Sequence, residues 1–111
     1  MPAIGVWGSS WSLSHRLALW YDGAVSQEEL IRRSQVGEVE AFNQLVLAYQ
    51  RQVYSLTLRL LGALAAAEDA TQDAFLAAFR HIKDFRGPNF AAWLLRIAAN
   101  ASRDQLRRRR H

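Results

Sequence analysis

Four side chains near the end of this 111-residue chain define the chemistry it can do. Arg96, Asn100, Arg103 and Arg107 recur at i, i+4, i+7 and i+11, a spacing that puts them on one face of a helix. Guanidinium forks match phosphate oxygens, and a carboxamide can pair with a base edge. That is the chemistry of gripping an anionic polymer. A second grouping, Asp69, Gln72 and Asp73, recurs at three- and four-residue spacing and makes an acid–amide patch suited to a basic helical partner. Bond-making chemistry is not indicated. Asp69 with Asp73 is a carboxylate pair without a pocket or metal partner, and no nucleophile–base set or phosphate-cradling glycine loop occurs. We therefore expect no enzyme, no catalytic residue and no cofactor. His15, His81 and His111 lie far apart and cysteine is absent, so no metal site or disulfide framework is expected either.

The charge is divided along the chain. Residues 1–79 carry five basic and eight acidic side chains, net −3; residues 80–111 carry nine basic and two acidic, net +7. This asymmetry suits two partners, an anionic polymer at the C-terminal end and something less acidic elsewhere. The arginines at 107–110 also suit a helix C-terminus, but that role does not reach Arg96 or Asn100. Half of the residues are apolar, which fits one globular domain with a modest core.

The arginine row needs a helix to carry it. The turn Arg86-Gly87-Pro88-Asn89 should feed a helix from about Phe90 to beyond Leu106, with Pro88 and Asn89 suited to its start. Phe90, Trp93, Leu94, Ile97, Ala101 and Leu106 form its expected inner stripe. Trp93, sharing that stripe, reads as core or half-buried.

Upstream, Ser26 and Glu29 fit a capping box for a first helix with Leu30, Ile31 and Val36 on its apolar face, stopped at Gly37. A second helix should run from about Glu38 to Leu61 and end at Gly62, with Phe42, Leu45, Val46, Tyr49, Val53, Leu56, Leu60 and Leu61 inward. A third should span about Leu64 to Lys83, with Ala70, Ala74, Phe75, Ala78, Phe79 and Ile82 inward and Glu68 complementing its dipole. No stretch alternates like a strand, so the expected fold class is all-α, a compact bundle of about four helices over residues 26–111. Residues 1–25, with Trp7, Trp11 and Trp20 among glycine and serine, read as a flexible leader; Ser12–Tyr21 could form a short amphipathic helix. Neither a signal peptide nor a membrane span is indicated, and a cytoplasmic location is expected.

AEDATQDAFLAAFR (Ala67–Arg80), the FRG turn and AWLLRIAANASRD (Ala92–Asp104) together resemble region 2 of bacterial RNA polymerase sigma factors, with closest likeness to the extracytoplasmic-function class. The resemblance extends back through Leu30–Gly62. It implies a transcription-initiation module that binds core RNA polymerase and recognises and melts the promoter −10 element. The implied polymerase contacts, on the β′ clamp helices, are Asp69, Gln72 and Asp73 with Arg51 and Arg59. The implied contacts to the non-template DNA strand are Phe85, Arg86 and Asn89 in the loop, then Arg96, Asn100, Arg103 and Arg107. The family's second domain, which reads the −35 element, is not expected within this sequence. Two alternatives remain open: a sigma-like interaction module held by an anti-sigma factor, and a general basic nucleic-acid-binding helical protein.

Overall fold

A computed structural model describes residues 25–109, and among them the chain is helical with no strand. Four α-helices follow one another: α1 (Gln27–Gln35), α2 (Val39–Leu61), α3 (Leu64–His81) and α4 (Phe90–Arg109), with a three-ten turn at Ile82–Asp84. The leader and short helix expected within residues 1–25 lie, apart from Val25, outside the described residues.

Local sequence accounts for the joints. Ser26 caps α1, its hydroxyl oxygen accepting from the Glu29 amide at 3.2 Å. The other half of the expected capping box does not form. Glu29 instead accepts from Arg32 and Arg33 along its own helix, and these guanidiniums, Arg32 first, hold its carboxyl below the usual range. At the far end Gly37, at φ 97°, lets its amide reach the Ser34 carbonyl while Glu38 reaches that of Arg33. These two bonds are a Schellman closure, which requires the left-handed backbone that glycine adopts without strain. Gly62 ends α2 in the same left-handed region. The α3 helix ends two residues earlier than the spacing predicts. It tightens into the three-ten turn, where the Phe85 amide bonds the Ile82 carbonyl at 3.1 Å.

The core collects Phe42, Leu45, Val46 and Val53 from α2, Ala74, Phe75 and Ala78 from α3, Ile82 and Phe85 beyond it, and Phe90, Leu94 and Ala98 from α4. Alanines along α3 and α4 let the helices approach closely. Three expectations need correction. Val36 and Leu60, expected inside, are 71% and 45% exposed, because Val36 has left the helix and Leu60 lies on the outer side of α2's last turn. The inner line of α4 is Phe90, Leu94, Ala98 and Ser102, whereas Ile97, Ala101 and Leu106 are half-buried beside it; Trp93 is half-buried, as its expected placement allowed. Small residues were the weak signal: Ala98 and Ser102 carry little hydrophobic weight but are the ones that fit where helices meet. Glu68 is no first-turn acid, since α3 starts at Leu64 and has no acidic residue there; the dipole's influence fades past that turn.

Buried polar groups add order between helices. The Thr57 and Thr71 hydroxyls bond each other at 2.8 Å, and Thr57 also reaches the Ala67 carbonyl at 3.2 Å. This joins the middle of α3 to the last turns of α2.

Ala98→Leu should destabilise the bundle by about 1–3 kcal/mol through overpacking, while Ala92→Leu on the exposed side should change stability by less than about 0.5 kcal/mol. Urea unfolding of both variants checks the rotation assigned to α4. Phe85→Ala should cost roughly 3–5 kcal/mol in the same assay, the size expected of an interior ring and not of a surface contact.

Candidate nucleic-acid interface

Burial on one side of α4 forces the polar row to the other. Arg96, Asn100, Arg103 and Arg107 are all exposed. The helix is held at its start by the Asn89 carboxamide oxygen, which accepts from the Ala92 amide at 2.9 Å. Beneath that start lies an aromatic cluster. Phe85 meets Phe90 edge-on at 5.5 Å between ring centroids and Trp93 at 5.2 Å, and Tyr49 meets Phe90 at 5.6 Å. Such tilted and edge-on contacts are the favourable arrangements for aromatic pairs.

Within the row, Arg103 donates to the Asn100 carboxamide oxygen and Arg107 pairs with Asp104. Arg96 has no acidic partner among the described residues. The row is therefore a set of exposed donors: one guanidinium without such a partner, one tied to the amide, one neutralised by a neighbouring carboxylate.

The loop residues fare differently. Phe85 is buried, so its ring supports the surface from below and does not present itself. Arg86 is exposed, but its guanidinium folds back to the Lys83 and Phe85 carbonyls, each at 2.8 Å. Asn89 is exposed and its oxygen is occupied by the cap. Its amide nitrogen is the part left for a ligand.

On α3, Asp69 and Gln72 are exposed and Asp73 is half-buried; Arg51 and Arg59 are exposed on α2. The fold brings one member of this patch to the edge of the arginine row. Asp73 and Asn100 line a single cleft of about 460 Å³ between α3 and α4, together with Arg80, His81, Asp104 and Arg108. Spacing alone does not single out Arg80 or Arg108, since they converge from different helices. Among the described residues no group of three metal-ligating side chains comes together.

Comparison with known proteins agrees with the helical fold. The family model for sigma-70 region 2 matches residues 45–111. The chain is 39% identical over 80 residues to the RNA polymerase sigma-H factor of Pseudomonas aeruginosa, covering 71% of this chain and 42% of that protein. It is 39% identical over 83 residues to the ECF RNA polymerase sigma-E factor of Escherichia coli K12, covering 74% of this chain and 43% of the relative. Among solved structures, an engineered region 2 of sigmaE, determined by NMR in complex with GTAAAA, superposes with a TM-score of 0.71 at 35% identity, covering 77% of this chain and 90% of that one. The chain spans less than half the length of these curated relatives. With four helices in the expected order and a family match over more than half its length, the chain belongs to the sigma-70 region 2 family, in the extracytoplasmic-function class.

Proposed function

We propose that this chain is a transcription-initiation module that binds core RNA polymerase and recognises and melts the promoter −10 element by holding the non-template strand. The observation that carries the reading is the exposed row Arg96, Asn100, Arg103 and Arg107 on a helix whose opposite side is locked into the core. Arginines grip the backbone and supply affinity, while Asn100 and the amide of Asn89 read base edges. An unstacked base carries its full hydrogen-bonding edge, so a row of this kind suits a separated strand. The solved relative in complex with GTAAAA supports the same assignment. The module works in the cytoplasm, where promoter DNA lies; among the described residues no helix is long and apolar enough to cross a membrane.

The second surface is the acid–amide patch. Asp69, Gln72 and Asp73, with Arg51 and Arg59 on the adjoining helix, dock on the β′ clamp helices of the polymerase. Charge complementarity there sets partner choice and orientation. A general nucleic-acid binder would have no use for exposed carboxylates beside its basic face.

Two measurements test the two surfaces separately. In fluorescence anisotropy with single-stranded GTAAAA and a permuted oligonucleotide, Arg103→Ala should weaken both complexes alike and lower the salt slope by about one. Asn100→Ala should instead reduce the preference between them, by roughly 1–3 kcal/mol; an equal loss on both sequences refutes its reading role. In a core-polymerase pull-down, Asp69→Ala and Gln72→Ala should impair capture while leaving oligonucleotide affinity nearly unchanged. Capture at the wild-type level would remove the patch from the polymerase interface.

A further inference from the structure

One side chain outside both surfaces joins distant parts of the chain. The Gln35 amide nitrogen donates to the Ile82 carbonyl and to the Phe85 carbonyl, each at 3.0 Å, across 47 and 50 residues of sequence. Its two hydrogens serve one carbonyl each, which is the full donor capacity of a carboxamide. The Ile82 carbonyl also accepts from the Phe85 amide at 3.1 Å within the three-ten turn that leads from α3 towards α4. Gln35 adds to each carbonyl a donor from a different helix.

Gln35 sits where the backbone around it is itself bonded. It is the last residue of α1, directly before the Schellman closure at Gly37, and it is half-buried. A hollow of about 420 Å³ opens beside it, bounded by Glu28, Ile31 and Gln35 on α1 and by Lys83, Arg86 and Gly87 on the other side. The carbonyl of Phe85 that Gln35 holds also receives the Arg86 guanidinium. One amide thus fixes the position of a shared acceptor and, through it, the course of the loop.

We propose that Gln35 is a positioning residue: by tying the Ile82 and Phe85 carbonyls to α1, it holds the 85–89 turn in the shape that strand binding requires. The role rests on the promoter-reading function proposed above. It gives α1 a part in recognition although α1 carries none of the arginine row.

The test uses the full 111-residue chain with Gln35→Glu, which keeps the size but turns oxygens toward two carbonyls, and Gln35→Lys, which restores donors. Hydrogen exchange read by NMR should show the Phe85 amide, which bonds the Ile82 carbonyl, opening roughly tenfold faster or more in Gln35→Glu, with α2 amides unchanged, and a return toward wild type in Gln35→Lys. The preference for GTAAAA over its permuted form should fall several-fold in Gln35→Glu and recover in Gln35→Lys; a ratio is used because the added charges shift both affinities together. Unchanged exchange in the turn overturns the proposal, as does faster exchange throughout the bundle or an unchanged preference. If the wild-type chain shows no preference for GTAAAA, the proposed function fails, and the exchange comparison still decides whether Gln35 holds the turn.

Discussion

The rotation of α4 about its own axis is the constraint on which the functional surface depends. Phe90, Leu94, Ala98 and Ser102 are buried at four-residue intervals along one side. At 3.6 residues per turn, Arg96, Asn100, Arg103 and Arg107 then fall roughly 180° away. No local interaction among the arginines sets their direction; it follows from what lies on the back of the helix. Alanine and serine in that line allow close packing along the middle of α4, while the aromatic cluster holds its first turn. The order of causes runs from small-residue packing, to helix rotation, to the display of cations.

The two proposed interfaces sit largely on α3 and α4, which pack against each other. Asp73 and Asn100 meet at the same cleft although they belong to surfaces of opposite sign. Acidic Asp73 and basic Arg80 and Arg108 line that cleft together.

Much of this arrangement is readable from residue spacing, and the failures have physical causes. Large apolar residues at helical intervals mark α2 and α3 well, and glycine marks the ends of α1 and α2 because a left-handed backbone has few other occupants. The Asn89 cap follows from its place before Phe90. What escapes is what spacing cannot weigh. Ala98, Ser102, Thr57 and Thr71 are buried, yet their hydrophobicity is low or their chemistry polar. Glu29 could bond backwards or forwards, and two arginines on its own helix decide the matter. In the candidate site the exposed row is visible as a pattern, whereas Phe85 reads as a loop residue until the fold shows it under Trp93. Gln35 gives no signal at all, since both of its partners are main-chain carbonyls about fifty residues away.

The hydroxyl pair between Thr57 and Thr71 has a mechanical meaning. Sliding α3 along α2 by one turn would move it about 5.4 Å, too far for the pair to touch, and would take from the buried Thr71 hydroxyl its partner on α2 and leave Thr57 only the Tyr54 carbonyl of its own helix. The pair works like a key in a slot, admitting one alignment of the two rods. Asp69 and Gln72 flank Thr71 on the keyed rod, so their height along the bundle is fixed by a contact that neither of them makes.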